Sequence, residues 1–381
     1  MTGAAGAAPI VLSLAAQLAL ASPGADAWKR AQIGVARGIT IGPIENGYHP
    51  DVGYASRPYD RALAEASELG ATWVALTPFG RVADLGGTGV DPTFEAPFDR
   101  NRRDVARAVA MAHAHGLRVL IVPHLWVESG DWRALIDPRT VEGWLRWSES
   151  YRRFASAWAA VAQGAGADMF SVGAELRSWV TTGHAASFAG VIDDVRRVYR
   201  GLVTYSANWD DVDQTVIVGQ LDVIGINAFY PLADRLGASA SELHEGAERV
   251  RARVHALAER WHKPVIFTET GYTTRPDPAV RPWEWPEALA HVPVDEAAQA
   301  EAYRALLDPL LEEPDFAGFF VWRVYADPDD TSQEPPWGFS PRAKLAEDVV
   351  RDAFASRWAD DPWWWDLTGR ARADSLLRAA R

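Results

Sequence analysis

Val119-Leu120-Ile121-Val122 is an unbroken apolar run inside the segment Arg118–Val127. Strands with one solvated face alternate polar and apolar residues, whereas strands covered on both faces contain continuous apolar runs. The run therefore predicts a parallel strand that is buried on both sides. Seven further candidate strands, most of the same character, lie at Gly38–Pro43, Ala71–Phe79, Ala167–Leu176, Leu202–Asn208, Leu221–Tyr230, Pro264–Tyr272 and Ala317–Tyr325.

Stretches with helical spacing separate these strands. Val105, Ala108, Val109 and Ala112 recur at intervals that place them on one face of a helix, and Gly116 follows as a stop signal. Eight strands that alternate with helices predict an α/β fold, a single (β/α)8 TIM barrel. Further helices are predicted around Tyr151–Val161, Ala186–Tyr199, Val250–Trp261, Asp295–Leu311 and Ala343–Arg357.

The barrel is expected to span residues 28–358, because no repeat, low-complexity tract or linker divides that part of the chain. Residues 359–381 contain Trp363-Trp364-Trp365 and are expected to form a tryptophan-rich extension that packs on the barrel, with a surface carbohydrate platform as the alternative. We therefore expect one catalytic domain with a short C-terminal addition.

Residues 1–27 are interpreted as a signal-like or disordered N-terminus. The apolar run Pro9–Ala21 is too short to span a bilayer. It resembles the apolar region of a secretory signal, with Ala19-Leu20-Ala21 as the cleavage site, but no lysine or arginine precedes it. The segment favours a secreted or periplasmic protein and leaves a cytoplasmic location as the alternative.

Composition and missing motifs exclude several classes of protein. The formal net charge is −13 and no basic stripe is present, which argues against a nucleic-acid partner. The absence of cysteine removes thiol nucleophiles and cysteine-bound metals. Zincin, dinucleotide-binding, P-loop and nucleophile-elbow motifs are also missing, so we expect neither cofactor nor metal. The 18 tryptophans fit a tryptophan-rich core or a cleft on which sugar faces stack.

Two glutamates end apolar strands of the predicted barrel, Glu175 on the fourth strand and Glu269 on the seventh. Active sites of such barrels form at the carboxyl ends of the strands, and these two strands lie nearly opposite each other across the mouth. Two carboxylates about 5–5.5 Å apart are the arrangement of a retaining glycosidase. The apolar strand around Glu175 is expected to raise its pKa, as a proton donor requires. The alternative is that each glutamate pairs with Arg177 or Arg323 at the rim.

These motifs are similar to those of glycoside hydrolase family 113, within the large clan of retaining (β/α)8-barrel glycosidases. The similarity runs from about Arg37 to Phe354. It rests on Gly38-Ile39-Thr40-Ile41-Gly42-Pro43, Val172-Gly173-Ala174-Glu175-Leu176, Phe267-Thr268-Glu269-Thr270-Gly271-Tyr272, Phe320-Val321-Trp322-Arg323-Val324-Tyr325 and Gly338-Phe339-Ser340-Pro341-Arg342.

The resemblance implies a retaining endo-β-1,4-mannanase that acts on mannan or a related hemicellulose by double displacement. It implies that Glu175 is the acid/base, that Glu269 is the nucleophile and that Trp322 is a stacking platform for the cleaved sugar. One position departs from the clan, which usually has an asparagine that binds the sugar 2-hydroxyl where this chain has Ala174. Asn208 or Asn227 is the candidate substitute.

Further side chains at the strand ends are predicted to contact substrate, each with plain packing or hydrogen bonding as its alternative. Tyr230 is expected to orient Glu269 through a hydrogen bond. His124 and Trp126 are expected to contact sugar hydroxyls and a sugar face, and Trp209 to form a wall of the cleft.

Two loops near the predicted mouth add candidates. The long seventh loop, Thr273–Val294, carries Trp283 and Trp285 and is interpreted as a lining for an extended glycan, because loops of this length are usually functional. The acidic eighth loop is interpreted as a set of solvated carboxylates rather than a calcium site, because its spacing fits no EF-hand. Its acidic residues are Asp327, Asp329, Asp330 and Glu334.

The expected partner is a β-linked oligo- or polysaccharide, with neither nucleic acid nor membrane involved and the chain acting as a monomer. Two alternatives stay open. One is the same retaining chemistry on another β-glycan, and the other is a non-catalytic glycan-binding barrel, which Ala174 favours and the two glutamates oppose.

Overall fold

A closed barrel of eight parallel strands forms the centre of the protein in a computed structural model, which describes Trp28 and residues 34–42, 51–93, 95–285, 292–330 and 334–356. Strands β1, β2, β4, β6, β7, β8, β9 and β10 are neighbours in this order, and β10 closes onto β1. The strands are β1 (Ala36–Gly42), β2 (Trp73–Leu76), β3 (Phe79–Val82), β4 (Arg118–Ile121), β5 (His124–Val127), β6 (Met169–Ala174), β7 (Leu202–Asn208), β8 (Ile224–Asn227), β9 (Val265–Thr270) and β10 (Phe316–Tyr325). This confirms the predicted (β/α)8 barrel.

Helices follow the barrel strands and cover their outer faces, with two short 3-10 helices, Val212–Gln214 and Val216–Gln220, in the place of an α-helix after β7. In the described part of the chain they are α1 (Arg57–Glu68), α2 (Phe98–Ala114), α3 (Val141–Ala165), α4 (Arg177–Val180), α5 (Ala185–Val198), α6 (Ala240–Trp261), α7 (Glu296–Leu311) and α8 (Leu345–Ala355). None of these helices is long and apolar enough to cross a membrane. The predicted N-terminal segment 1–27 and the extension 359–381 lie outside the described residues.

Two apolar cores hold the barrel together. The larger core lies between the strands and the helices, and the smaller fills the barrel interior, where Trp73, Leu120, Met169 and Phe320 pack in one cluster with the fully buried Trp28. Burial of one large apolar side chain stabilises the fold by about 1.5–3 kcal/mol. The interior of the barrel is filled by such side chains and is a packed core, not a channel. Small polar side chains are also buried within the strands, as at Ser171 and Thr204, but the predicted catalytic glutamates lie at the carboxyl ends of their strands.

Two prolines end barrel strands earlier than the sequence predicts. The segments Ala71–Phe79 and Arg118–Val127 were each expected to form one strand, but Pro78 and Pro123 interrupt them because proline has no N–H for the strand ladder. Beyond the prolines, β3 and β5 pair in parallel as a separate two-stranded sheet. This sheet carries His124 at the start of β5, directly above the barrel interior.

Register shifts occur just before both predicted catalytic glutamates. The pairing of β6 with β7 shifts between Ser171 and Ala174, and the pairing of β8 with β9 shifts between Ile226 and Asn227. An extra residue in one strand reverses the side-chain alternation beyond it. On β9, Ile266 belongs to the interior core and Phe267 to the outer one, so plain alternation would turn Glu269 outward. The shift turns it into the mouth.

Candidate active site

Glu269 lies at the carboxyl end of β9 and is almost completely buried, with 5% of its surface exposed. Its Oε1 is 2.8 Å from Nε2 of His124, whose Nδ1 is 2.9 Å from the carbonyl oxygen of Val122. Both nitrogens of His124 are therefore engaged by the protein, and neither is left for a sugar hydroxyl in the free barrel. The predicted alternative, an ion pair of Glu269 with Arg323, does not occur.

Glu175 follows β6 in a left-handed backbone conformation with φ of 54°. Non-glycine residues adopt this region rarely, and it often marks functional sites. Its carboxylate lies among three donors: Nε1 of Trp132 at 2.9 Å and Nη2 of Arg133 at 3.0 Å from Oε2, and Nδ2 of Asn227 at 3.1 Å from Oε1. Glu175 is thus fixed from both sides of the mouth.

These donors decide the pKa of Glu175. Burial alone would raise this pKa, but the charge of Arg133 and the hydrogen bonds from Trp132 and Asn227, with a further contribution from His124, outweigh it. The pKa of Glu175 therefore lies below its usual value in the free barrel. The expectation that the apolar strand raises it was wrong, because the loop after β5 supplies a cation that the strand sequence does not reveal.

Asn227 links the two sides of the site. It is fully buried at the end of β8, donates to Glu175 and accepts a 2.9 Å hydrogen bond from Oγ1 of Thr268, the residue before Glu269. Asn208, at the end of β7, donates instead to Asp210 at 2.8 Å. Both amide nitrogens therefore have protein partners, and a contact of either asparagine with a sugar 2-hydroxyl stays a prediction.

Arg177 and Arg323 occupy the rim without pairing with either glutamate among the described residues. Arg177 forms ion pairs with Asp210 and Asp211, and its guanidinium lies 4.8 Å from the centre of the Trp132 ring. This stacking holds the tryptophan that donates to Glu175. Burial raises the pKa of Asp211 to about 6 despite its pairing with Arg177.

Tyr230 does not orient Glu269, contrary to the sequence prediction. Its ring packs on Phe267 and Trp209, with the Arg253 guanidinium 5.7 Å from its centre, and its buried hydroxyl has no hydrogen-bond partner among the described residues. The physical reason is strand alternation, which places Asn227 and Phe229 on the mouth side and Tyr230 on the outer side.

Aromatic rings form much of the mouth. Trp322 is 4% exposed and stacks on His124 at 5.9 Å between ring centres. Trp285 makes an edge-to-face contact with Trp322, with 6.4 Å between ring centres. Phe229 and Phe339 complete this cluster. The peptide bond between Trp322 and Arg323 is cis. Stacking of a sugar on Trp322 stays a prediction.

A second aromatic group lies beside the first. Trp283 stacks on Trp209 with 5.4 Å between ring centres and 22° between ring planes, and 44% of Trp283 is exposed. Trp285 and Trp126 are also about half exposed. The seventh loop thus brings two tryptophans to the mouth, although residues 286–291 of this loop lie outside the described part.

The acidic eighth loop divides into two parts. Asp327 and Asp329 pair with Arg61 at the surface. Glu334 was expected to be a solvated carboxylate, and this expectation was wrong. Glu334 is largely buried and accepts hydrogen bonds from the backbone nitrogens of Phe339, at 3.2 Å, and Ser340, at 2.8 Å. It therefore fixes the turn that carries Phe339.

A group of potential metal ligands lies away from this mouth. Ligand atoms of His255, Glu313 and Asp315 are within 4.8 Å of one another beside the start of β10. His255 already pairs with Asp315 at 2.7 Å and Arg251 with Glu313 at 3.3 Å. These contacts within the protein already engage the group and fasten α6 to the start of the strand.

The site can carry out chemistry that needs two carboxylates in a water-poor cleft. His124 contacts Glu269 and also contributes to the lowered pKa of Glu175, so the two glutamates share one site. Aromatic rings border this site. Sequence reasoning missed Trp132 and Arg133, which lie in the loop after β5. Their only sequence signal is position, since loops after barrel strands line the mouth.

Fold and site together define a class: a (β/α)8 barrel with paired, buried carboxylates at the ends of its fourth and seventh strands, as in barrel enzymes that cleave glycosidic bonds. Residues 47–335 match the sequence pattern of Glycoside Hydrolase Family 113. The match covers most of the chain, so the protein belongs to glycoside hydrolase family 113. The resemblance stated from the sequence motifs is confirmed.

Solved structures are similar over nearly the same length. The GH113 β-mannanase of Alicyclobacillus acidocaldarius, in complex with ManMIm, is 27% identical, with a TM-score of 0.71 over 85% of this chain and 98% of that one. A second GH113 β-1,4-mannanase is 23% identical, with a TM-score of 0.73 over 85% of this chain and 100% of the other, and supports the fold. No curated protein sequence matches significantly.

Proposed function

We propose that this glycoside hydrolase is a retaining endo-β-1,4-mannanase, which acts on mannan or a related hemicellulose. The observation that carries the proposal is the pair of buried glutamates at the mouth of a family 113 barrel. The similarity to the β-mannanase of Alicyclobacillus acidocaldarius supports the choice of β-mannan over other β-glycans.

In the first step, a carboxylate oxygen of Glu269 attacks the anomeric carbon and the bond to the leaving oxygen breaks. Glu175 gives its proton to that oxygen. Because Arg133, Trp132 and Asn227 favour the ionised form of Glu175, substrate binding must loosen at least one of these contacts before the proton is available. Trp132 and Arg133 lie on a loop, which is easier to displace than the barrel strand that carries Asn227.

In the second step, ionised Glu175 takes a proton from water, and the resulting hydroxide oxygen attacks the anomeric carbon and releases Glu269. The contacts that favour the ionised form of Glu175 in the free barrel then match the state that this step needs. The anomeric carbon is inverted twice, so the product has the configuration of the substrate.

The exposed tryptophans of the seventh loop extend the aromatic lining beyond the two glutamates, which supports internal cleavage of a long chain. We also propose that the protein acts outside the cytoplasm, since a polymeric substrate fits the signal-like segment 1–27. Fractionation of cells that express the full chain, with N-terminal sequencing of the mature protein, tests the location.

Hydrolysis of mannohexaose, cellohexaose and xylohexaose tests the proposed activity. We expect mannohexaose to be cleaved internally to mannotriose, mannobiose and mannotetraose, with little action on the others. Glu175→Gln and Glu269→Gln serve as inactive controls. If only cellohexaose or xylohexaose were cleaved, the substrate would be another β-glycan and not mannan. If the folded wild type bound mannohexaose without cleaving it, the result would favour the glycan-binding barrel.

A further inference from the structure

The two ring nitrogens of His124 both face hydrogen-bond acceptors. Nδ1 is 2.9 Å from the carbonyl oxygen of Val122, and Nε2 is 2.8 Å from Oε1 of Glu269. The side chain of His124 is 1% exposed and that of Glu269 6%. Solvent therefore has little access to either partner.

Proton counting leaves two states for this pair. A carbonyl oxygen can only accept, so Nδ1 of His124 carries a proton. If the ring were neutral, its Nε2 lone pair would face Glu269, and the contact would need a protonated carboxyl group. If the ring is an imidazolium, Nε2 also donates and Glu269 is ionised. Nucleophilic attack requires the second state.

The surroundings of His124 favour the imidazolium. Its ring lies between aromatic rings, with Phe79 at 5.1 Å and Trp322 at 5.9 Å between centres, and aromatic faces attract cations. The carboxylate of Glu175 also lies near His124, but its charge and that of its ion-pair partner Arg133 offset each other. The remaining positive charge is Arg323, which lies over Trp322 at 4.9 Å.

We infer that His124 is an imidazolium in the free enzyme and is the positioning residue of the nucleophile. The inference rests on the proposed role of Glu269. His124 fixes Oε1 of Glu269 and holds the carboxyl group ionised, and Oε2 is the oxygen that attacks the anomeric carbon. Because the charge of Glu269 disappears in the covalent intermediate while that of His124 remains, the imidazolium also favours release of Glu269 in the second step.

Nitrogen NMR of protein labelled at histidine tests the protonation state without any substrate. At neutral pH we expect both nitrogens of His124 to be protonated in the wild type, because both face hydrogen-bond acceptors. In Glu269→Gln the ring should become neutral with the proton on Nδ1. The signal is assigned by its loss in His124→Gln. A neutral His124 in the wild type at neutral pH would overturn the inference.

Kinetics of His124→Gln provide a second readout, since glutamine keeps a neutral hydrogen-bond donor but removes the charge. The acid limb of kcat/KM against pH should move to higher pH, because the variant lacks the positive charge that the inference places beside the nucleophile. His184→Gln, at an exposed histidine that stacks on Trp144, is the control and should leave the profile unchanged. An unmoved acid limb in His124→Gln would contradict the inference. Failure of the mannanase assay alone would leave the NMR result intact.

Discussion

Arg133 and Glu175 form an ion pair in the free barrel, with 3.0 Å between Nη2 and Oε2. The group proposed as proton donor is thus held in its ionised form by a loop residue, with Trp132 beside it as a hydrogen-bond donor. The same carboxylate must be protonated for the first step and ionised for the second. The proposed mechanism therefore requires substrate to displace the contacts of Trp132 and Arg133 with Glu175 before the first step.

Removal of the cation in Arg133→Met is expected to raise the pKa of Glu175, because the charged carboxylate loses its strongest opposing charge. The protonated form then persists to higher pH. The basic limb of kcat/KM against pH, which reports groups of the free enzyme, should therefore move upward. Arg153→Met, which removes an exposed arginine paired with Glu149, is the control. A basic limb that stays in place or moves downward would show that Arg133 does not control Glu175.

Azide rescue separates the roles of the two glutamates. In Glu175→Ala, an aryl β-mannobioside with a good leaving group still forms the intermediate on Glu269, so azide should release a β-glycosyl azide. In Glu269→Ala, azide should attack directly and give the α-glycosyl azide. Activity on mannohexaose should fall by about 10²–10⁴-fold in Glu175→Ala. Glu149→Ala, which changes an exposed glutamate, is the control. If Glu175→Ala gave the α-glycosyl azide and Glu269→Ala the β-glycosyl azide, the roles of the two glutamates would be reversed.

Loss of the exposed ring in Trp283→Ala is expected to weaken binding of long substrates. The stack of Trp283 on Trp209 forms a wall outside the glutamate pair, so KM for mannohexaose should rise about 5-fold while kcat changes little, for a contact worth about 1 kcal/mol. Trp283→Phe retains a ring and should recover most of the affinity. A fall of kcat by about 5-fold in Trp283→Ala, with KM unchanged, would instead indicate that this wall stabilises the transition state.

Gly338→Ala is expected to damage the site without unfolding the barrel. A Cβ at this position would lie 2.3 Å from the carboxyl carbon of Glu334, which holds the backbone of Phe339 and Ser340. Displacement of Phe339 disturbs the aromatic cluster with Trp322, and kcat/KM should fall by about 10–100-fold.

Gly164→Ala is the matched control for this prediction, because among the described residues no atom apart from the adjacent residues and the local helix backbone lies within 4 Å of the Cβ that it adds. Circular dichroism of both variants should match that of the wild type. Wild-type kcat/KM in Gly338→Ala would mean that the turn around Glu334 adjusts without moving Phe339.

The sequence was sufficient to predict the barrel and the strand ends that build its mouth. Continuous apolar runs such as Val119–Val122 are typical of buried parallel strands, and a charged residue at the end of such a run indicates a polar cleft. Glu175 and Glu269 stand out by this criterion. His124 also stands out by position, although its contact with Glu269 could not be predicted because the two lie 145 residues apart.

The remaining features depend on backbone details that periodicity does not contain. The register shifts on β6 and β9, which precede Glu175 and Glu269, leave no mark in the apolar pattern. The lowered pKa of Glu175 depends on Arg133, a loop residue with no spacing rule that connects it to β6. The error at Tyr230 was avoidable, since counting alternate residues from Asn227 places Phe229, not Tyr230, on the mouth side.

Covalent trapping tests the central claim, retaining catalysis by Glu269, most directly. Wild-type protein is treated with 2-deoxy-2-fluoro-β-mannotriosyl fluoride, which forms the intermediate readily but releases it slowly, and the labelled peptide is identified by mass spectrometry. We predict one fluoromannotriosyl group per chain, attached to Glu269 and absent from Glu269→Gln. A label on another residue, or unlabelled protein that still cleaves mannohexaose, would contradict the account.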